Sequence, residues 1–138
     1  MKNSKDLAMT LNVAKVFYLA TADADGTPHV RPFGAVVRYE GHTWFCTGKG
    51  KAVHEQLQKN DKVEIAAFMP GMDAPCWVRA KSHVVLEDNE GAKQAMFAAF
   101  PQVKEMYADK TDQFVVFYFV GEANLHDLGG NVIESLTV

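Results

Sequence analysis

Residues 27–56 read TPHVRPFGAVVRYEGHTWFCTGKGKAVHEQ, and the order of patterns inside this stretch decides which folds the chain can adopt. Val30, Phe33, Ala35, Val36 and Val37 form an apolar run rich in β-formers, Glu40-Gly41 supplies a turn, and Thr43-Trp44-Phe45-Cys46-Thr47 resumes as a strand. The segment is predicted to be a β-hairpin. Gly48-Lys49-Gly50-Lys51 stops the second strand, after which Ala52, Val53 and Leu57 share one side of a short amphipathic helix that Asn60 is placed to end.

The same stretch concentrates positive charge. Between Thr27 and His54 it carries Arg31, Arg38, Lys49 and Lys51 against one acid, Glu40, although the whole chain has a formal charge of −3. A local cationic site in an acidic protein points to a small anionic ligand and away from nucleic acid or an anionic membrane surface. Where the strand empties into the glycine loop, free backbone N–H groups and the positive end of the following helix favour a phosphate, and Lys49, Lys51 and the Thr47 hydroxyl add donors. A solvated turn is the competing reading, because Gly-Lys-Gly-Lys is not a GxxxxGK[ST] phosphate loop. Pro32 cannot donate to a sheet ladder, so it belongs at an edge, a bulge or a place where something other than a strand meets the backbone. Arg31 would stand beside that gap.

With 138 residues, 48% of them hydrophobic, the chain suffices for one domain, 1–138, with one core. No apolar run approaches the roughly 20 residues of a membrane helix, and MKNSKDLAMTLN lacks the apolar centre of a secretory signal. A cytoplasmic location is expected. Cys46 and Cys76 sit among large apolar neighbours at no zinc spacing, which predicts buried free thiols. His29, His42, His54, His83 and His126 are scattered, and neither a metal site nor a catalytic triad or carboxylate pair is indicated.

Elsewhere, Leu7 and Leu11 suit a short helix over Ser4–Asn12 with a serine cap, and Val16–Thr21 reads as a first strand before an Asp25-Gly26 turn. Val63–Phe68 makes a fourth strand. Cys76–Ala80 and His83–Leu86 make a fifth, long or bent at Lys81-Ser82. Asp88 or Asn89 can cap a helix through Ala92, Ala95, Met96 and Ala99, which Pro101 ends, and Val103, Met106 and Tyr107 mark a second short helix. Phe114–Val120 is seven apolar residues in a row, expected to be buried on both sides in the barrel centre or against a second subunit. The tail from Glu122 is read as partly irregular. The sum is a mainly β (α+β) fold: a small antiparallel barrel of six strands with two or three peripheral helices. A barrel this small fills with its own side chains, leaving any cofactor on the outer wall or at a subunit boundary.

The succession ATAD, a DG turn, HVRPF, WFCTGKGK, a helix closing in KND, VEIAAF and WVRAKSHVVLED resembles the pyridoxamine 5′-phosphate oxidase-like family of FMN-binding split barrels, especially short members grouped with nitroimidazole-resistance proteins. The resemblance implies a six-stranded split β-barrel, a homodimer and FMN as cofactor. It places Arg31, Pro32, Phe33, Gly34, Ala35 and Val36 along the flavin, with the arginine at the phosphate or ribityl side. Cys46 and Thr47 lie beside the cofactor, and Lys49 and Lys51 at its phosphate. Trp77 falls where some relatives use a glutamine near the flavin, and a core tryptophan is an equal reading.

The family's true oxidases carry a basic C-terminal segment for the substrate phosphate, whereas nothing basic follows Lys110 here. The implied function is therefore an FMN-dependent oxidoreductase acting on an unspecified small molecule rather than on vitamin B6, with no catalytic side chain singled out. His29 and His54 flank the basic site and could donate a proton to a reduced substrate. The alternatives are a flavin or haem carrier or sensor without turnover on the same fold, a deazaflavin in place of FMN, and a structural barrel whose basic patch binds only adventitious anions.

Overall fold

Along the first strand Phe17, Leu19 and Thr21 are buried while Tyr18 is exposed and Ala20 half-buried, the period-two alternation of a sheet with one face on a core. A computed structural model describes residues 5–71 and 73–138. In chain order its elements are α1 (Leu7–Ala14), β1 (Phe17–Ala22), β2 (Pro28–Phe33), β3 (Val36–Tyr39), β4 (His42–Gly48), α2 (Ala52–Lys59), β5 (Lys62–Met69), β6 (Cys76–Leu86), α3 (Glu90–Ala99), α4 (Pro101–Tyr107), a 3₁₀ segment (Ala108–Gln113), β7 (Phe114–Asp127) and β8 (Val132–Leu136).

The strands form one antiparallel sheet in the order β2-β1-β5-β6-β7-β4-β3, with β8 also paired to β7. β2 and β3 are the two ends of that path, yet only Gly34 and Ala35 separate them in the chain. Two residues reach only about 7 Å, so the sheet must curl until its edges meet. Side chains cross the interior accordingly: Phe17 of β1 meets Phe45 of β4 at 5.6 Å, and Phe33 of β2 meets Phe117 of β7 at 6.3 Å. Because β2 pairs with β1 and β3 with β4, the seam between them has no ladder, and the barrel is split.

The mainly β split barrel is as expected, but with eight strands and four α-helices among the described residues rather than six and two or three. Two local features account for the extra strands. The run from Val30 to Val37 is broken at Gly34-Ala35 into strands with different partners. The tail is ordered as a hairpin, β7 turning through Gly129-Gly130 into β8, instead of running on irregularly. The expected bend in the fifth strand lies where Ser82 faces Gly121 across the β6–β7 ladder.

Leu7 and Leu11 of α1 insert into the barrel core with Phe17, Leu19, Phe45, Ile65, Val78, Phe117 and Phe119, each fully buried side chain of this size stabilising by about 1.5–3 kcal/mol. Asp6 caps α1, accepting from the Met9 N–H at 2.7 Å, while Ser4, the cap read from sequence, lies outside the described residues. Asn89 caps α3 through the Ala92 N–H. A second cluster outside the barrel packs α3 and α4 on the sheet through Met96, Phe97 and Tyr107 against Trp44, Phe114 and Val116. β7 is hydrogen-bonded along both edges. Phe114, Val116, Phe117 and Phe119 of its apolar run are buried, with Val115, Tyr118 and Val120 half-buried.

Candidate functional site

The seam of the barrel is also its most chemically loaded groove. β3 pairs with β4 only over His42–Phe45, so Cys46, Thr47 and Gly48 have no strand neighbour on that side. Into the space fit the end of β2 and the link after it, the start of α2 and one side of α4. The resulting groove, about 220 Å³, is lined by Arg31, Pro32, Phe33, Gly34, Ala35, Cys46, Thr47, Lys51, Val53, Val103, Met106 and Tyr107. Eight of the ten residues singled out from sequence therefore meet in one place. The other two lie elsewhere: Val36 is fully buried in the core, and Lys49 faces a separate hollow of about 350 Å³ with Glu87, Asp88, Lys93 and Asp112.

Arg31 is held rigidly. Its guanidinium donates to the Leu19 carbonyl and to the Thr21 hydroxyl, both at 3.0 Å, and to the Gln56 side-chain oxygen, to which Thr21 also donates at 2.6 Å. These bonds tie β2 to β1 and α2 and use three of the five guanidinium N–H groups, leaving the rest for a ligand. Burial lowers the Arg31 pKa, but an arginine remains charged at any physiological pH. Lys51 occupies the N-cap position of α2, which has no side-chain cap. The first amides of that helix are thus free to bind an anion with the lysine.

Thr47 and Tyr107 are only 6% and 8% exposed. Both hydroxyls line the groove and neither is taken up by a hydrogen bond within the described residues, so each is open to a ligand; the buried side-chain oxygen left without a partner among the described residues is instead Thr43 Oγ1 of β4. Burial pushes the Cys46 thiol up to about 12 against the pull of the Lys51 cation, so it stays a neutral, weakly polar wall. Burial, and then Cys46, raise the Tyr107 pKa, which keeps the phenol protonated. The groove thus offers two cations, two open hydroxyls, an uncapped helix start and an apolar side made by Pro32, Phe33, Val53, Val103 and Met106. That combination suits a ligand with an anionic end and a flat, apolar body.

Val53, Val103, Met106 and Tyr107 are read from sequence as helix residues but not as part of the site. The helix bearing the last three is legible, but which face of the sheet it covers is a tertiary fact. Trp77 does not line the groove. It lies on the outer sheet face, stacked on His126 at 5.2 Å with Arg79 5.9 Å from its ring centre. His29 is bonded to Asp23 at 3.0 Å. Burial and the Lys49 charge lower the pKa of His54 on α2. No group of His, Cys, Asp and Glu among the described residues could hold a metal ion, and no described helix is long and apolar enough to cross a membrane.

An antiparallel barrel split along a cationic seam is the class of protein that the fold and the groove define. Residues 5–123 match the family model described as pyridoxamine 5′-phosphate oxidase, and the chain belongs to that family. Among curated proteins there is no match. Among solved structures, the chain is similar to a NimC/NimA family protein from Clostridium acetobutylicum, at 34% identity over 94% of this chain and 90% of that one, with a TM-score of 0.81. It shares its fold with a pyridoxamine 5′-phosphate oxidase-related, FMN-binding protein from Nostoc punctiforme (16% identity, 91% and 81% coverage, TM-score 0.64). It shares it also with a haem-binding protein from Mycobacterium smegmatis (18% identity, TM-score 0.72), covering 99% of this chain and 60% of the mycobacterial one.

Proposed function

We propose that this protein binds FMN in the seam groove, at the interface of a cytoplasmic homodimer, and uses it as an oxidoreductase acting on a small molecule. The observation that carries the reading is the convergence of Arg31–Ala35 from one barrel edge with Thr47 and Lys51 from the other. The phosphate would take Lys51, Thr47, the free donors of Arg31 and the uncapped amides of α2. The flavin ring would lie along Pro32, Phe33, Gly34 and Ala35, on the seam side, where no strand pairs with β2. The bound flavin would supply the hydride or electron transfer, and the chain would hold it, shield it and set its orientation.

The size of the groove supports a dimer. About 220 Å³ lies below the range of roughly 300–1,000 Å³ usual for sites that enclose a drug-sized ligand, so one chain covers only part of a flavin. The covering surface is better sought on the outer face of β2, β1 and β5 than on the apolar run of β7, whose larger side chains are already packed. Val30, Tyr18 and Phe68 are all exposed there, and Tyr18 pairs directly with the groove residue Pro32.

A second reading, haem carriage without turnover, draws on Met106 and Tyr107, side-chain types that ligate haem iron. The groove cations and the uncapped start of α2 favour the flavin. The spectrum of protein purified without added cofactor, with mass identification of what it releases, separates the two. A flavin spectrum, release of FMN and oxidation of NAD(P)H with an acceptor support the enzyme, whereas a haem Soret band supports the carrier. A colourless protein whose melting temperature rises with neither added FMN nor added haem contradicts both, since a ligand specific to the native state must stabilise it.

A further inference from the structure

We propose that the Tyr107 hydroxyl, contributed by α4 from outside the barrel, donates a hydrogen bond to the phosphate of the bound flavin mononucleotide. This rests on the FMN reading above and extends it to a residue no sequence pattern marks.

The phenol is built into the phosphate corner. A Cβ at Gly48 would collide with the Tyr107 hydroxyl, so the glycine that ends β4 leaves the space the hydroxyl fills. The ring is fixed from behind by Phe114, 4.9 Å away at 44°, which is itself stacked on Phe97 at 4.7 Å. α4 starts at Pro101, whose fixed φ suits a first helical turn, and it follows α3 directly, so Tyr107 is anchored through both helices. The hydroxyl is thus aimed and immobile before any ligand arrives, and ordering it costs binding nothing further.

What the hydroxyl lacks is an acceptor. Its neighbour Cys46 is a neutral thiol, a weak acceptor at best. Lys51 on the same groove is a donor. A groove-lining phenol without a protein acceptor and a lysine on the same groove are matched by an anion with several acceptor oxygens, and a phosphate accepts from Lys51 and Tyr107 together. The hollow around Lys49 is different in kind. There the largely buried Lys93 is already paired with Asp88 at 2.8 Å, and acids outnumber bases.

A hydroxyl with no partner in the ligand-free protein has little to lose on removal, which separates a binding role from a structural one. The test measures FMN and riboflavin dissociation constants by flavin fluorescence for the wild type and Tyr107→Phe, with melting temperatures of both proteins free of flavin. The expected result is an unchanged or slightly higher melting temperature, FMN binding weakened roughly tenfold or more, and riboflavin binding unchanged. Equal FMN affinity in the two proteins would overturn the assignment, as would an equal loss for both ligands, which would put the contact away from the phosphate. A wild type that binds no FMN would overturn the FMN reading itself and the assignment with it.

Discussion

Lys49 and Lys51, separated only by Gly50, face different hollows: Lys51 looks into the seam groove with Thr47, and Lys49 into the acidic hollow with Asp88 and Lys93. Gly50, at φ +91°, turns the backbone between them. Lys51→Ala should therefore weaken FMN binding by about 1 to 3 kcal/mol, the scale of a hydrogen bond to a charged group. Lys49→Ala should change it by less than about twofold. Isothermal titration of both variants checks this, and a larger loss at Lys49 would move the phosphate to the other hollow.

The proposed dimer places Phe68 and Tyr18 under the partner chain. Phe68→Asp puts a charge where the exposed apolar face of β5 would be buried, and interfaces exclude charge from their centre. Sedimentation at micromolar concentration should show a dimer for the wild type and a monomer for the variant, which should also bind FMN more weakly. A wild-type monomer would contradict the interface.

The bend at Ser82 depends on Gly121. Gly121 has φ +148°, and a Cβ there would sit 2.6 Å from the Lys81 carbonyl oxygen, a backbone atom that cannot move aside. Gly121→Ala should cost about 2–4 kcal/mol. Gly26→Ala has the same type of backbone constraint, at φ +90°, but open space around it, and should cost about 1 kcal/mol. Thermal unfolding of the two variants ranks them, and equal melting temperatures would contradict the packing at the bend.

His54 adds a pH dependence of known sign. Burial, and then the Lys49 charge, hold its folded pKa below the ordinary 6.5. The unfolded chain therefore binds the proton more readily, and stability falls as pH drops through the ordinary value toward the folded one. Between about pH 7.5 and 5.5 the melting temperature of the flavin-free wild type should decline more than that of His54→Gln. Parallel declines would show that His54 is not the group responsible.

Much of this was legible in the sequence because it is local. The strand alternation at Phe17–Thr21, the cap at Asn89, the stop at Pro101 and the glycine corner after Thr47 are all written in short-range chemistry. The link at Gly34-Ala35 shows where that legibility ends. Val30 to Val37 reads as one apolar run, and only the partners chosen by its two halves reveal a barrel seam. The tail was misread for the same reason, since Val132–Leu136 becomes a strand by pairing with β7 rather than by a strong pattern of its own. Tyr107 was visible as part of a helix, but its place at Gly48 depends on α3 and α4 folding back over the sheet. Lys49 was grouped with Lys51 because spacing alone does not say which way a loop turns each side chain.

The central claim is that the barrel seam holds a flavin by its phosphate. A crystal structure of the protein grown with FMN tests it most directly. The account predicts the phosphate within hydrogen-bonding distance of Lys51, Thr47 and Tyr107, with the ring along Pro32–Ala35 and a second chain closing over it. An empty seam beside FMN bound elsewhere, or no bound FMN in a saturated crystal, would contradict it.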